Sequence, residues 1–442
     1  MMTHFLSSFD RLQQERRGEP AWLKGLRQAS MDTFAQVGFP TPRDEEWKYT
    51  NVAPLTQVAF VNAAEDELSP ATMQLATQAI ADHRLDGCAL VVLIDGRYAP
   101  QLSAIGQLPG GADVRSLAEA LAETGDLSGA IEAQLGRHTG CEQGFCALNT
   151  ALMRDGVVVR LSPETVVERP IQIVYLTSGR PGLAVFPRNM IIAERSSQLA
   201  VIETYATLDG RVSGDASLTA AVTEVVAGAG ATVEHTKIQL EASSAFHIAT
   251  VQAHQARDSH FRSRSISLGG KLARNDINSR LDDEGCRCTL DGLYVVDDDQ
   301  HVDHHTMVDH AKPHCSSHEL YKGILGGRSR GVFNGKIFVR PQAQKTDAVQ
   351  NNKNLLLSDD ATINTKPQLE IFADDVRCTH GATVGQLDED ALFYLRSRGV
   401  AAEQARNLLI YAFAREIVDS IGHEALRLHL DHLVSARLPR AA

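Results

Sequence analysis

Apolar residues recur at three- and four-residue spacing through much of residues 1 to 150, in "SSFDRLQQ", "AWLKGLRQASMDTFAQVG", "PATMQLATQAIADH" and "VRSLAEALAETG". That period predicts a mostly helical N-terminal region. One run, "CALVVLIDG" at 88–96, is too short and too apolar for an amphipathic helix and predicts a buried strand ending in a turn. Between the helices, "GFPTPRDEEWKYTNVAPL" at 38–55 has prolines that block a long helix, and Trp47 and Tyr49 as anchors for an extended segment.

The texture changes from about 156 to 376. Short β-rich runs follow one another: "GVVVRLS", "IQIVYLTS", "QLAVIETYA", "ATVEHTKIQL", "FHIATVQAH", "CRCTLDGLYVV" and "GVFNGKIFV" are examples. Val233, His235, Lys237 and Gln239 alternate with Thr232, Glu234, Thr236 and Ile238, as the two faces of a strand do. So long a stretch without helix requires two packed sheets or a stack of coils. Asn275, Asn278, Asn334, Asn351, Asn352, Asn354 and Asn364 cluster near predicted turns. Asparagine tolerates left-handed backbone, which suits the corners of a solenoid. No strict repeat is visible, so the pattern leaves sandwich and solenoid as rivals.

Helical spacing returns at about 386. "LDEDALFYLRSRG" offers Asp388 as N-cap and Gly399 as terminator, and "VAAEQARNLLIYAFAREIVDSIG" follows directly, which predicts a helical hairpin. Leu392, Leu395, Leu408, Leu409, Phe413 and Ile417 are its expected inner face, with Phe393, Tyr394, Ile410 and Tyr411 more outward. Apolar residues nearly all round a terminal helix call for a second packing surface, in this chain or in a partner. The expected organisation is thus a helical region over 1–150, a β core over 151–378 and a helical region over 379–442.

Composition narrows the function. The chain has 442 residues, 43% of them hydrophobic, and a formal net charge of −12. An acidic chain without a basic run is a poor ligand for nucleic acid or an anionic membrane. No apolar run approaches the roughly 20 residues that span a bilayer, and the first residues lack a signal-peptide core, so a cytoplasmic protein is expected. Seven cysteines (Cys88, Cys141, Cys146, Cys286, Cys288, Cys315 and Cys378) are unevenly spaced and contain no CxxC pair, which argues against a disulfide framework or a zinc knuckle. The phosphate loop, GxGxxG after a strand, GxSxG and HExxH are all missing.

Two stretches carry candidate metal chemistry. "VVDDDQHVDHHTMVDHAKPHCSSHEL", residues 295–320, is dense in His and Asp. On a strand, His301, Asp303, His305, Met307 and Asp309 share one face, and Val302, His304, Thr306, Val308 and His310 the other. His304 and His310 would lie about 20 Å apart, too far to share an ion. His301, Asp303 and His305 fit a 2-His-1-carboxylate iron site only if they bend together. The alternative, which the unspecific spacing favours, is a ladder of side chains satisfying one another. The second stretch is "DDVRCTHGATVG" at 374–385, where Cys378 and His380 face the same side of an extended segment. Thiolate and imidazole suit iron, zinc or an iron–sulfur cluster, but two ligands need others from elsewhere. Cys286 and Cys288 have the same spacing and read as ordinary strand positions.

The segments "PRDEEWKYTN", "RNDINSRLDDEGCRCTLDGLYVVDDDQHVDHHTMVDHAKPHCSSHELYKGIL" and "GVFNGKIFVRPQAQKTDAVQNNKNLLLSDDATINTKPQLEIFADDVRCTHGATVGQLDEDALFYLRSRGV" together resemble the SufB/SufD family of iron–sulfur cluster scaffolds. "RDEEWKYT" and "CTHGATVG" place the likeness on its SufD side; residues 55–150 are not diagnostic. The resemblance implies a mainly β protein, a right-handed parallel β-helix flanked by helical N- and C-terminal domains. It implies a non-enzymatic scaffold that pairs with a SufB subunit near the C-terminal end of the β-helix. A SufC ATPase would dock on the C-terminal helices around Phe393, Tyr394, Leu395, Arg398 and Gly399, its ATP-driven closure reaching the junction through them. His380, with Cys378 assisting or structural, would contribute to a nascent cluster, and SufB would supply further ligands. No tightly bound cofactor is implied, only a transient cluster or iron shared with SufB, and a homodimer is the expected form of the isolated chain. A stand-alone His/Asp-rich metalloenzyme and a SufB-like homodimeric scaffold are the rival readings.

Overall fold

A computed structural model describes residues 2–63, 68–139, 144–208 and 216–437. Its centre is a parallel β-helix in which each coil gives one strand to each of two sheets, one of 11 strands and one of 10. In the first sheet Leu272 lies beside His301, His301 beside Arg330 and Arg330 beside Thr362, so successive coils stack in register. Parallel stacking of every second strand decides between solenoid and sandwich in favour of the solenoid. The repeat escapes the sequence because the coils differ in length: 26 residues separate Phe246 from Leu272, but 32 separate Arg330 from Thr362.

The space between the sheets is closed by Val, Ile and Leu and by a row of aromatics that includes Tyr205, Phe261, Tyr294, Tyr321 and Phe333. Two glycines make room for two of these rings. A Cβ on Gly292 would lie 2.2 Å from the Tyr321 ring, and one on Gly323 would lie 2.1 Å from the Tyr294 ring. The strands Leu272–Leu281 and Ser316–Leu325 lie among those least legible as strands in the sequence. Their inward positions include Asn275 and Glu319, polar residues where the strand pattern calls for apolar ones.

One end of the solenoid is covered. The strand Ala89–Ile94 extends the 10-stranded sheet beside Ile171–Thr177, and Ala112–Ser116 closes the other sheet antiparallel to Val157–Leu161. The helices Met2–Glu15, Ala21–Val37 and Gly144–Leu152 bring Phe5, Phe34 and Leu148 into one cluster with Phe246, Ile248 and Leu272 on the sheet. Among the described residues the other end is open. Thr362–Ile371 and Arg377–Gly385 are the outermost strands of their sheets, each hydrogen-bonded on one side only.

Three helices follow: Glu389–Ser397, Ala402–Val418 and Glu424–Arg437. Asp388 caps the first, its carboxylate accepting from the Asp390 and Ala391 amides. Gly399, at φ +88°, ends it in the left-handed region that a side chain would strain. The second helix corrects the expected inner face. Ile410 is fully buried and Leu408 is 51% exposed, the reverse of the hairpin expectation. The reason is that this helix packs on the β-helix as well as on its neighbours: Ile410, Ala414, Ile417 and Val418 cluster with Ile266, Leu293 and Ile324 of the sheet. The third helix adds Leu426, Leu430 and Val434 to the same cluster.

Candidate functional site

The His-rich strand His301–His310 alternates as expected. Val302, His304 and Val308 point into the solenoid, and His301, Asp303 and His305 point out beneath the N-terminal segment. Inside, His304 stacks on Tyr294 with ring centroids 5.2 Å apart and meets Ser267 Oγ at 3.2 Å; His310 meets Ser317 Oγ at 2.9 Å. Burial holds His304 near 3 and His310 near 4, so both imidazoles are neutral.

Outside, these side chains and "RDEEWKYT" satisfy one another. The Thr50 hydroxyl donates to Asp303 and meets His301 Nε2 at 3.0 Å. Arg274 donates to both oxygens of Asp276, at 3.0 and 2.7 Å, and to Asp303 at 2.9 Å. It also donates to the Glu46 carbonyl at 2.7 Å and lies 3.7 Å over the Trp47 ring. His305 lies 3.1 Å from Asp303 and 3.5 Å from Glu46. Burial alone would lower His305; the carboxylates beside it overcome that and raise it. Despite its burial, Asp303 is held well below the carboxylate range by His305, Arg274 and Thr50. Glu46 is held at about 2, chiefly by its hydrogen bond to His305. Among the described residues no group of three or more His, Cys, Asp and Glu side chains is placed to hold a metal ion. This cluster is a clamp that fixes the N-terminal segment to the outside of the solenoid.

Cys378 and His380 lie on the terminal strand Arg377–Gly385, in register with Ala348 and Gln350 of the preceding coil. Ala348 and Gln350 are buried inside the solenoid, and in-register parallel neighbours share a face, so Cys378 and His380 face the uncapped interior. Cys378 is half-buried against Ala348, Leu369 and Val376, and that burial, with the nearby Asp347 charge, raises its thiol above the ordinary value. His380 is exposed. Behind it stands a pair that spacing alone had not revealed. Gln350 donates to Glu319 at 3.3 Å, and Glu319 accepts from Thr306 at 2.7 Å. Burial pushes Glu319 up to about 7. The column Glu319, Gln350, His380 was visible in principle through the coil offset, but irregular coil lengths hid it. Around this open end Ile371, Phe372 and Val384 leave apolar surface to solvent.

The expected docking residues lie on and just after the helix Glu389–Ser397. Phe393 is 73% exposed and Tyr394 is 58% exposed, with Arg398 stacked 5.3 Å from the Tyr394 ring. Leu395 is half-buried, and Arg398 and Gly399 are exposed. Leu408 adds to the same kind of unpartnered apolar surface. The second helix is tied to the solenoid by polar contacts too. Lys322 donates to the Phe413 carbonyl at 2.7 Å and pairs with Glu416, and Arg406 donates to the Leu357 carbonyl at 2.9 Å. Cys141 lies outside the described residues.

Comparison with known proteins covers nearly the whole chain. Residues 3–173 match the SufBD protein N-terminal region, and residues 175–413 match the SufBD core domain of the SUF system for FeS cluster assembly. An iron–sulfur cluster assembly SufBD family protein of Synechocystis is 34% identical over 95% of this chain and 92% of its own length. The iron–sulfur cluster assembly protein SufD of Escherichia coli is 32% identical over 94% of this chain and 93% of its own. The SufD protein of Bacillus subtilis is 26% identical over 98% and 97%.

Proposed function

The chain belongs to the SufBD family of iron–sulfur cluster assembly proteins, and from that premise we propose that it is a non-catalytic scaffold subunit of a SufB–SufC–SufD type complex in the cytoplasm. The observation that carries the proposal is the open end of the solenoid. Two strand edges with free N–H and C=O groups, bordered by Ile371, Phe372 and Val384, form a surface that a second β-helix can extend by strand pairing. A SufB-like subunit is the natural partner there, and in its absence a second copy of this chain can use the same edges.

Cys378 and His380 face that junction from this side. His380, exposed and in line with the buried pair Gln350 and Glu319, serves as a ligand for iron or a nascent cluster, which is cargo and not a resident cofactor. Cys378, packed against apolar neighbours, has the mainly structural part and can assist once the junction lowers its thiol. The remaining ligands come from the partner. Phe393 and Tyr394, with Leu395, Arg398 and Gly399, form the docking surface for a SufC-like ATPase. Movement imposed there reaches the solenoid through Lys322, Glu416 and Arg406. A stand-alone metalloenzyme is disfavoured because His301, Asp303 and His305 already satisfy one another and the N-terminal segment. Among the described residues no helix is long and apolar enough to cross a membrane.

The test is co-purification with SufB- and SufC-like partners, followed by anaerobic reconstitution with iron and sulfide. His380→Ala should assemble normally and lose cluster; unchanged cluster content removes His380 from the site. Phe393→Asp with Tyr394→Asp should release the ATPase and leave the SufB pairing intact. These point changes are preferable to deleting the helices, which would strip Ile410 and Ile417 from the core.

A further inference from the structure

The corner that precedes the strands Arg287–Val296 and Ser316–Leu325 carries a cysteine in each of two successive coils. The Ser316 amide donates to the Cys286 carbonyl at 3.0 Å, so the two corners are stacked neighbours. Adjacent strands lie about 4.8 Å apart, inside the separation of α-carbons that a disulfide spans. The side chains converge as well. Cys286 Sγ lies 3.1 Å and Cys315 Sγ 3.2 Å from one and the same atom, the Asp283 carbonyl oxygen. Two sulfurs sharing one acceptor are within reach of each other.

Both cysteines are buried, and each directly follows a turn that reaches the surface. Asp282 to Gly285 are half-exposed, and Lys312 and His314 are exposed. Gly285 at φ +74° and His314 at φ +61° are the left-handed residues of those two turns. Cys288, two positions along, has no such neighbour: its strand partners are Phe261 and Ser317. Nothing in the cluster-assembly reading uses the pair, whose members lie two (Cys315) and three (Cys286) coils from the terminal strand that bears Cys378.

We propose that Cys286 and Cys315 form a redox-active dithiol that closes to a disulfide when the protein meets a peroxide. One sulfur attacks hydrogen peroxide, the O–O bond breaks, and a sulfenic acid and one water result. The second thiol then attacks that sulfur, the S–O bond breaks, a second water leaves, and the S–S bond forms. Two thiols are oxidised by two electrons, and the peroxide is reduced by the same two. The product staples consecutive coils without a change of register.

The test uses the full reduced chain in its native state, treated with hydrogen peroxide, then denatured, alkylated and measured by intact mass and peptide mapping. The expected result is loss of two hydrogens, loss of two alkylation sites and a peptide joining Cys286 to Cys315. Cys286→Ser and Cys315→Ser should each abolish the linkage, while Cys288→Ser should leave it intact. The wild-type peptide map decides alone should a serine variant fold poorly. Two free thiols after treatment, separate over-oxidation of each, or a linkage between other cysteines overturns the proposal.

Discussion

Removal of the Arg274 guanidinium is the sharpest test of the clamp between the N-terminal segment and the solenoid. Arg274 is 2% exposed, and its partners Asp276 and Asp303 are 8% and 0% exposed. Arg274→Ala leaves Asp276 buried without its guanidinium and Asp303 with only His305, and takes the stacking partner from Trp47. Breaking a buried pair from one side costs roughly 3–5 kcal/mol, most of it the penalty of the stranded charge. The exposed pair Arg328–Asp299, with both side chains 71% exposed, is the internal control, and Arg328→Ala should cost no more than about 1 kcal/mol. Urea unfolding at pH 7 followed by tryptophan fluorescence is the assay, because Trp47 sits directly under the guanidinium. Asp303→Asn in the Arg274→Ala background should restore part of the loss, since it removes one stranded charge. If Arg274→Ala costs no more than the exposed control, or if Asp303→Asn restores nothing, the clamp does not hold the segment by its charges.

The acid side of the same cluster has a defined sign. Asp303 and Glu46 are held below their unfolded values, so their stabilisation is full above about pH 4 and fades as pH falls toward the folded value, about 2 for Glu46; an acid titration of the Trp47 signal should show it, and Asp303→Asn should flatten it. Glu319 has the opposite sign: its folded value of about 7 lies above the unfolded one, so stability falls between about pH 4 and pH 7 and is level above. Glu319→Gln should therefore stabilise the protein by up to about 3 kcal/mol at pH 8 and by little at pH 4, read from urea midpoints at the two values. Gly156→Ala should be severely destabilising, because its Cβ would fall 1.8 Å from the Arg188 carbonyl oxygen, whereas Gly422→Ala, with nothing within 4 Å, should be near neutral in thermal melts. Replacing His301 and His305 together by Gln should leave iron uptake of the assembled complex unchanged while lowering the melting temperature.

Much of this architecture could be read from the hydrophobic pattern, and the exceptions share a cause. The strands with apolar inward residues, such as Ile171–Thr177 and Arg287–Val296, announce themselves. Ser316–Leu325 does not, because Glu319 and Lys322 occupy buried positions and find their partners on the next coil, across the sheets or on a distant helix. The faces of the helix Ala402–Val418 were misassigned for a related reason: its hydrophobic stripe was matched to a hairpin partner, while the sheet that takes Ile410 is more than a hundred residues away in sequence at Leu293. The His-rich strand was legible down to which side chains share a face, but its purpose was not. Glu46, Trp47 and Thr50, which complete the clamp, stand some 250 positions earlier, and Thr50 meets Asp303 at a separation of 253 residues. Cys378 and His380 are visible in the sequence as a same-face pair on an extended segment; the buried Glu319 and Gln350 behind His380 required the register.

The covered end and the open end of the solenoid give the molecule a direction, and with it a problem of supply. A strand edge does not discriminate strongly among visitors, since its hydrogen bonds are the same for any extended chain. Which neighbour occupies it then depends on relative abundance as well as on fit. If the edge pairs as proposed, a cell that made this subunit in excess would populate self-paired molecules, and every such pair would cover His380 away from its proposed partner. On that proposal, balanced synthesis of this chain and its partner would be as much a condition for assembly as any single side chain.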